Sequence, residues 1–373
     1  MKIVGMICEY NPFHNGHIYH IKKVKEMFPD SFLVLVLNGY FLERGEISLL
    51  TKEAKTDIAL EHGIDLVLEL PVVFGTQAAD IFAEKAIEIL NYVGVTDIVF
   101  GSETNDIHLL YQMAKIQLEP EFDTRVKKQL DLGMNYPTAL SKAMNFPVMI
   151  KEPNDLLGIS YAKAILKNDY KICLHTIKRT NSYHDLLSND SIISASNIRM
   201  KFKNQEDIMN FVPAKVPLLF QSYSEKLLFQ ILSYQIMMNS DLKSYETVDE
   251  GIEYRLKEAI LVTNSLEEFI QFVKTKRYTY NRIHRMIIHI LLGFTKKINQ
   301  ELKLDYLHIL GFSQKGQQYL KKLRKQVNIP LKPITTSPIY EFEKRAAFFY
   351  ELLTNSAVQI FEKSNKPIIK KEN

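Results

Sequence analysis

The sequence contains no tryptophan and only two cysteines among its 373 residues. Cys8 and Cys173 lie far apart and in no zinc-type spacing, so they indicate neither a disulfide framework nor a cysteine zinc site. Both lie in apolar stretches, and we expect two buried thiols. Two common nucleotide motifs are also missing, since there is no G-x-x-x-x-G-K-[ST] loop and no G-x-G-x-x-G after the first predicted strand. Their absence argues against P-loop phosphotransfer and dinucleotide redox chemistry.

Long hydrophobic runs are absent as well. No apolar run approaches the roughly 18 residues that span a bilayer, and the run at residues 3–8 is followed at once by Glu9. A secretory signal needs a longer apolar region and a small-residue cleavage site. With 46% hydrophobic and 24% charged residues, the composition is typical of a soluble protein. We therefore expect a cytoplasmic protein with no membrane segment.

The first hundred residues alternate between apolar runs and helix-like stretches. This alternation is typical of a parallel sheet with crossover helices, and a further strand is predicted at residues 172–177. Such sheets bind phosphate ligands at the carboxyl ends of their strands. The predicted strands are residues 3–8, 32–37, 66–70 and 98–100, and the helices between them are residues 18–27, 52–62 and 78–92.

Beyond residue 217 the strand pattern disappears and helical periodicity takes over. We place a boundary around Pro213 and Pro217, which gives two domains, residues 1–210 and residues 211–373. The fold class is therefore α/β, with a parallel sheet domain followed by a mainly α-helical C-terminal domain. The helices predicted in the second domain are residues 225–238, 252–262, 278–292, 314–325 and 341–353.

The most informative segment is the turn at residues 9–17, EYNPFHNGH, between the first strand and a helix. His14 and His17 lie around Gly16 at the helix start, which offers unpaired N–H groups and the positive end of its dipole. Gly16 lets the backbone approach a phosphate. These groups would stabilise the charge that develops as an α–β phosphate bond breaks, so His14 and His17 are candidate catalytic residues. The alternatives are a metal site, for which no third ligand is evident, and two ordinary loop histidines.

A set of motifs resembles a known family. The H-x-G-H signature and the string I-S-A-S-N-I-R at residues 193–199 resemble the two motifs of the HIGH nucleotidyltransferase superfamily, which has a Rossmann-like fold. The longer string EYNPFHNGH resembles the bacterial tRNA(Met) cytidine acetate ligases. Further matches follow in the family's order at residues 44–46 (RGE), 65–71 (DLVLELP), 100–103 (FGSE), 153–159 (PNDLLGI), 178–179 (KR), 183–185 (YHD), 277–279 (RYT) and 291–293 (LLG).

The resemblance implies an ATP-dependent ligase. It implies that acetate is activated as acetyl-adenylate with release of pyrophosphate, and that the acetyl group moves to the wobble cytidine of elongator tRNA(Met). We expect magnesium to accompany ATP, although no carboxylate cluster in the sequence identifies a protein-held metal site. The implied ATP pocket comprises Ile7, Cys8, Glu9, Tyr10, Asn11, Pro12, Phe13, His14, Asn15, Gly16, His17, Ile18, Tyr19, His20, Gly101, Asn154 and Arg179.

The second motif adds Ser194, Ser196 and Arg199 as candidate phosphate contacts. In the implied pocket, Gly101 lets adenosine approach a strand end, Asn154 hydrogen-bonds the nucleotide, and Arg179 places a permanent charge near the polyphosphate. Without the resemblance, structural roles would be favoured for all three: a strand-end turn for Gly101, a helix cap for Asn154 and a solvated charge for Arg179.

The loop after the second predicted strand departs from the family. The family pattern is close to S-G-N-F-x-Q-R-G-E-P, and the segment here reads N-G-Y-F-L-E-R-G-E-I. We expect this loop to lie beside the reacting carboxylate or the incoming base, with Arg44 and Glu46 as candidate substrate contacts. The acyl donor therefore stays open between acetate and another small carboxylate. Within residues 40–47, the residues that depart are Tyr40, Glu43 and Ile47.

Positive charge is concentrated in one segment. Residues 271–340 hold 14 Lys or Arg against two acids, so this segment is about +12 and the remainder about −8. Such asymmetry favours a polyanionic partner, and basic residues interleaved with tyrosines suit phosphate contacts and base stacking. A solvated face is the alternative. On the helix predicted from Tyr278, His289 shares the basic face, and the tRNA-binding candidates are Lys274, Lys276, Arg277, Arg282, Arg285, Lys321, Lys322, Arg324 and Lys325.

Three other functions remain open. The first is a small-molecule cofactor adenylyltransferase of the pantetheine or nicotinamide type, which would need no RNA and is disfavoured by the basic helical half. The second is a related tRNA ligase that uses another carboxylic acid. The third is a non-catalytic RNA-binding protein with a relic nucleotide fold, which the intact His14, Gly16 and His17 disfavour.

Overall fold

The structure is a computed structural model that describes residues 2–134, 136–145, 150–179 and 192–371. Its strands are β1 (Ile3–Cys8), β2 (Phe32–Asn38), β3 (Leu66–Leu70), β4 (Asp97–Ser102), β5 (Cys173–Lys178), β6 (Ile309–Ser313) and β7 (Ile368–Lys370). The helices of the first half are α1 (Asn15–Met27), α2 (Lys52–Glu61), α3 (Val72–Gly75), α4 (Ala79–Tyr92), α5 (Ile107–Gln117), α6 (Phe122–Asp131), α7 (Tyr136–Met144), α8 (Pro153–Lys167) and α9 (Ala195–Lys203).

The second half is mainly helical, as predicted. Among the described residues it contains three short helices that the sequence analysis missed, of eight, six and seven residues: α12 (Leu266–Val273), α14 (Lys296–Glu301) and α17 (Val358–Ser364). The helices are α10 (Glu225–Met238), α11 (Ile252–Val262), α12 (Leu266–Val273), α13 (Tyr280–Leu292), α14 (Lys296–Glu301), α15 (Gln314–Leu323), α16 (Pro338–Thr354) and α17 (Val358–Ser364).

The strands form one sheet in the order β5-β4-β1-β2-β3-β6-β7. The first five strands all run parallel, which confirms the predicted α/β class. Because parallel strands end at the same edge, the carboxyl ends of β1 to β5 lie together. The turn at residues 9–17 leaves the sheet at that edge, in the middle of the strand order.

The centre of the sheet is buried on both faces. Along β2, Val34 and Val36 belong to one hydrophobic cluster, whereas Leu35 and Leu37 belong to another. Successive side chains of a strand point to opposite faces, so the two clusters are the two layers that cover the sheet. This double burial explains why the strand reads as a continuous apolar run without alternation.

The helical half also contributes two strands, contrary to the prediction that strands end before residue 217. Strand β6 pairs antiparallel with β3, and β7 pairs parallel with β6. These strands have five and three residues, so neither carries an alternation long enough to stand out among helical segments. The predicted domain division near residue 210 stays a prediction, while the sheet itself continues into the C-terminal part.

A buried charge cluster fastens the C-terminal helices to the sheet. We define it as Lys52, Glu69, His308, Glu343 and Glu362, all of which are buried. The Lys52 ammonium lies 2.7 Å from Glu343 Oε2 and 2.8 Å from Glu362 Oε2, and it also contacts Glu69. Although burial opposes the shift, the Lys52 charge lowers the pKa of Glu69 to about 2. The cluster thus joins α2 and β3 to α16 and α17.

Two expectations drawn from the composition can be compared with the structure. Cys8 is half-buried, but Cys173 is exposed, so the expectation of two buried thiols is wrong for Cys173. The reason is that Cys173 begins β5, which is an edge strand. Within the described ranges, every helix is too short or too polar to cross a membrane.

Candidate active site

A pocket opens at the carboxyl ends of β1, β4 and β5. Its walls come from the starts of α1, α8 and α9 and from the loop after β2. The pocket brings together residues that are far apart in the sequence, as the motif positions predicted. Of the candidates it is lined by Ile7, Cys8, Glu9, Tyr10, Asn11, His14, Gly16, His17, Tyr19, His20, Arg44, Glu46, Gly101, Asn154, Arg179, Ser194, Ser196 and Arg199.

Four residues of the predicted ATP set do not line this pocket: Pro12, Phe13, Asn15 and Ile18. Phe13 is fully buried and packs against the rings of Tyr10 and His17. The side-chain amide of Asn15 donates to the carbonyl of Asn210 (2.9 Å). For Phe13 and Asn15, these contacts show a role in holding the shape of the turn.

Three helices begin at the pocket. The first residues or caps of α1 (His14), α8 (Pro153) and α9 (Ser194) all line it. Each helix start presents backbone N–H groups and the positive end of a helix dipole. Three such ends around one cavity make it electrostatically suited to a polyphosphate.

The cap of α1 fixes the tautomers of both motif histidines. The Gly16 N–H donates to His14 Nδ1 (3.0 Å), and the His14 N–H donates to His17 Nδ1 (3.1 Å). A nitrogen that accepts a hydrogen bond carries no proton, so each neutral ring carries its proton on Nε2. Both histidines therefore have an Nε2–H donor that the helix cap does not use.

The motif histidines are neutral at physiological pH. Burial, with the charges of Arg179 and Arg199, lowers the pKa of His14 to about 3. Burial and the neighbouring His14 lower the pKa of His17 well below its usual value. Each ring can therefore offer a ligand a hydrogen-bond donor but no positive charge.

Gly16 is required by the cap itself. A Cβ at this position would lie 2.5 Å from Cε1 of the His14 ring, so the ring would have to leave the position in which it caps the helix. The sequence suggested one reason for glycine at position 16, the close approach of a phosphate. The structure adds a second, because the His14 ring folds back over residue 16.

A hydrogen-bonded network supports the opposite wall. Arg179 lies 3.3 Å from Glu103 Oε1, which also accepts from the Asn154 side chain (2.6 Å). Asp155, fully buried, accepts from the N–H groups of Glu103 and Thr104 (3.2 and 3.0 Å). The α8 cap is Glu152, so the alternative of Asn154 as a helix cap is wrong. With Pro153 at the first helical position, the helix begins two residues earlier than a cap at Asn154 would place it.

The second motif connects three parts of the site. Arg199 donates to the carbonyl of Asn11 (2.8 Å) and pairs with Glu46 (2.9 Å). Ser194 caps α9 by accepting from the Asn197 N–H (3.2 Å). Arg199 therefore holds the motif turn and the loop after β2 together while it lines the pocket.

In the loop at residues 40–47, the residues that differ from the family pattern lie partly in the pocket and partly in the core. Glu43 lines the pocket. Tyr40 is buried, with its ring 4.6 Å from the Lys52 ammonium, and Ile47 is buried as well. Of the three residues that depart from the family pattern, only Glu43 can contact a ligand in the pocket.

Gly45 holds this loop against α13, and its replacement by alanine is expected to impair the site. Gly45 has φ +73°, and a Cβ there would contact the backbone of His284 and Arg285. Because a backbone cannot yield as a side chain does, we expect Gly45→Ala to displace the loop together with Glu46, whose pair with Arg199 supports the motif turn. The KM for the expected nucleotide, ATP, should then rise about tenfold or more. Steady-state kinetics would measure this effect.

Gly133→Ala is the matched control for Gly45→Ala, since Gly133 also has positive φ but no atom within 4 Å of its Cβ position. Equal effects of the two variants would contradict the assigned contact.

The whole chain, residues 1–373, matches the family model described as HIGH Nucleotidyl Transferase. A tRNA(Met) cytidine acetate ligase from Geobacillus sp. (strain WCH70) is 37% identical over 94% of each chain. One from Fusobacterium nucleatum is 36% identical over 100% of this chain and 99% of its own. The chain belongs to the HIGH nucleotidyl transferase family.

Two crystal structures of Thermotoga maritima TmcAL share its fold over the full length of both chains. The apo form I has a TM-score of 0.92 at 29% identity, and form II, with bound alpha-thio ATP, has 0.88 at 30%.

None of the nine basic tRNA-binding candidates lines the pocket of this HIGH nucleotidyl transferase. Arg285 pairs with Glu43 (3.0 Å), which does line the pocket. The helix that carries the cluster at residues 321–325 begins at the other end of the sheet, where Lys315 bonds to the Ser31 carbonyl and Tyr319 to the Val93 carbonyl. The structure therefore brings one candidate, Arg285, into contact with a pocket residue, whereas the helix that carries residues 321–325 starts at the opposite edge of the sheet.

Part of the predicted positive charge is neutralised by acids from outside residues 271–340. Arg282 pairs with Asp249 (3.4 Å) and Arg277 with Glu250 (3.3 Å). His289 is fully buried and hydrogen-bonds to the carbonyl of Thr76 (3.1 Å), so its predicted place on an exposed basic face is wrong. Helix α13 packs against the end of α3, which sequence periodicity does not reveal.

Several residues that line or support the pocket were not among the predicted site residues. An apolar wall of the pocket comes from Phe82, Phe100, Leu157 and Tyr161. Glu103 and Asp155 lie inside the matched strings FGSE and PNDLLGI, which was the signal that could have identified them. Tyr183, His184 and Asp185, also part of the resemblance, lie outside the described residues.

A metal site is not evident at the pocket in the part of the chain that the structure describes. One group has ligand atoms close enough for an ion, namely Glu69, His308 and Glu362, within 4.8 Å of one another. The Lys52 ammonium already contacts both glutamates. This group therefore belongs to the buried charge cluster, which already has its cation.

Proposed function

We propose that the protein activates acetate with ATP as acetyl-adenylate and transfers the acetyl group to the wobble cytidine of elongator tRNA(Met). The observation that carries the proposal is the pocket with two Nε2–H donors and three helix starts. Full-length relatives named tRNA(Met) cytidine acetate ligase support the choice of substrates, and the TmcAL structure with alpha-thio ATP supports ATP as the nucleotide.

In the first step, an acetate oxygen attacks the α-phosphorus of ATP and pyrophosphate leaves. His14 and His17 would donate Nε2–H hydrogen bonds to phosphate oxygens whose charge increases in the transition state. Arg179, held by Glu103, would place its guanidinium beside the phosphates. Catalysis by these groups is positioning and charge stabilisation, because none of them forms a bond to the substrate.

In the second step, the exocyclic amine of the cytidine attacks the carbonyl carbon of acetyl-adenylate and AMP leaves. The base would reach the pocket past the loop at residues 40–47, where Arg44 and Glu46 remain the proposed substrate contacts. Helix α13 packs against this loop at His284 and Arg285, and its Arg282 and Arg285 would contact tRNA phosphates near the modified base. The candidates at residues 321–325 would contact a more distant part of the tRNA.

Magnesium belongs to this proposal as a partner of ATP. It would be bound mainly through phosphate oxygens and water, which is its usual mode in nucleotide sites. Glu9, Glu43 and Glu46 are the acidic residues that line the pocket, and two of them are already paired with arginines. The protein would thus supply few direct ligands to the ion.

The names of the relatives support acetate as the acyl donor. Tyr40 and Ile47, two of the three departures within the loop, are buried away from the pocket. These two departures therefore give no reason to replace acetate with another acid.

A panel of carboxylic acids tests the proposal. Acetate is expected to give ATP–pyrophosphate exchange at least tenfold faster than propionate, butyrate, glycine or pantoate. Adding elongator tRNA(Met) should then convert exchange into net AMP release, whereas an unrelated tRNA should not. No exchange with any acid would contradict the enzyme assignment. Nucleotidyl transfer to phosphopantetheine or nicotinamide mononucleotide in place of acetate would favour the cofactor adenylyltransferase.

A further inference from the structure

The three acidic side chains that line the pocket differ in how their charge is compensated. Glu46 pairs with Arg199 (2.9 Å), and Glu43 pairs with Arg285 (3.0 Å). Glu9 has no ion-pair partner among the described residues. It is therefore the pocket acid whose charge is least committed to holding the structure.

Glu9 is nevertheless held in place at the end of β1. Its Oε1 accepts from the Glu43 N–H (2.7 Å) and from the Asn38 side chain (3.3 Å). The Lys55 ammonium bonds to the backbone carbonyl of Glu9 (3.1 Å) and not to its carboxylate. Oε2 has no hydrogen-bond partner in the described part of the chain. One oxygen thus positions the carboxylate, while the other is available to a ligand.

The surroundings of Glu9 bring its titration close to neutral pH. Burial raises the pKa of Glu9 to about 7, opposed by the Glu43 N–H and reinforced by the carboxylates of Glu43 and Glu46. A group that transfers protons works best when its pKa is near the working pH. The charged and titratable groups that face it are Glu43 and Glu46 from the loop, Lys55 from α2, Tyr161 from α8 and Cys8 from β1.

We propose that Glu9 is the general base of acyl transfer and accepts a proton from the cytidine N4 amine through Oε2. The inference rests on the proposed function. As the N4–carbon bond forms, the bond between the acyl carbon and the adenylate oxygen breaks, and AMP leaves with that electron pair. The amine proton moves to Glu9 and then to water. A carboxylate is also the side chain that accepts hydrogen bonds from cytosine N4.

The motif histidines are poorly suited to this role. Their Nδ1 atoms accept hydrogen bonds from the backbone, and their Nε2 atoms carry the protons. Burial lowers the pKa of His14 to about 3, so it does not hold an additional proton at neutral pH. The Nε2–H groups of the histidines are therefore suited to donate to phosphate oxygens, and the Glu9 carboxylate is suited to accept from the amine.

The variant Glu9→Gln separates the two half-reactions. Glutamine keeps an oxygen that accepts the hydrogen bonds from Glu43 and Asn38, but it does not take up a proton. We expect single-turnover transfer from acetyl-adenylate to tRNA to fall by about 10²–10⁴-fold, a loss at least 100-fold larger than the loss in acetate-dependent ATP–pyrophosphate exchange. Equal losses in both reactions, or intact transfer, would overturn the proposal.

A pH profile distinguishes a base from a merely structural residue. Wild-type transfer is expected to rise with pH through a midpoint near 7, because only the deprotonated carboxylate accepts the proton. The Glu9→Gln variant should lose this rise of the transfer rate with pH. The Glu9→Asp variant should keep the rise and should transfer faster than Glu9→Gln. If the rate of Glu9→Gln still rises with pH through the same midpoint, another group titrates there and the proposal is overturned. Absence of acetate-dependent exchange in the wild type would instead contradict the proposed function, and this inference with it.

Discussion

Replacing His17 with alanine is expected to slow acetate-dependent ATP–pyrophosphate exchange by about 10²–10³-fold. The change removes an Nε2–H donor from the phosphate side of the pocket, and one preorganised donor of this kind contributes about 2.7–4 kcal/mol to lowering a barrier. The Nδ1 contact with the His14 N–H fixes this donor in its tautomer, so no reorientation is needed during the reaction. The exchange rate at saturating acetate, measured for both proteins, gives the effect.

The matched control for this variant is His62→Ala. The His62 ring packs on Phe13 (4.7 Å between centroids), next to the same turn but outside the active-site pocket. It tests whether loss of an imidazole near the turn is enough to slow exchange. His17→Asn adds a second comparison, because its amide oxygen can still accept from the His14 N–H. If His17→Ala retains the wild-type rate with a normal thermal melt, the assigned role of the motif is wrong.

Replacing Lys52 with methionine is expected to lower the free energy of unfolding by about 3–5 kcal/mol, the typical cost of breaking a buried ion pair from one side. Lys52 is fully buried and contacts Glu69, Glu343 and Glu362. Without the ammonium, these carboxylates either carry uncompensated charge or take up protons. Denaturant unfolding at pH 7 measures the loss.

An exposed pair provides the control for the Lys52 prediction. Lys23 lies 2.6 Å from Glu26 on the surface of α1, where solvent screens the interaction. Lys23→Met should therefore leave the unfolding transition almost unchanged. If Lys52→Met unfolds at the same denaturant concentration as the wild type, the buried charge cluster does not hold the C-terminal helices to the sheet as described.

The parts of the fold that the sequence predicts are those with strong local patterns. The bounds predicted for β1, β3, α10 and α11 coincide with the structure, because continuous apolar runs and helical periodicity identify buried strands and amphipathic helices. The strands β6 and β7 were missed because short edge additions depend on pairing with a distant strand. At five and three residues, they are also too short to show a strand pattern of their own.

In the candidate site, too, features set by local sequence were predicted and features set by distant contacts were not. Short motifs predicted most residues that line the pocket, since each motif is a turn whose chemistry is contained within a few positions. The pairs that complete the site were not predictable, because they join distant segments. Glu43 and Arg285 are 242 positions apart, and the acids at positions 249 and 250 neutralise arginines that the charge count treated as unpaired. Charge compensation depends on tertiary structure and not on local composition.

Transfer of labelled acetate to tRNA tests the central claim most directly. The protein would be incubated with ATP, labelled acetate and either elongator tRNA(Met) or the same tRNA with its wobble cytidine replaced by uridine. The account predicts ATP-dependent label in the first tRNA, recovered as an acetylated cytidine, and none in the second. Equal labelling of both tRNAs, or no label in either despite acetate-dependent exchange, would contradict it.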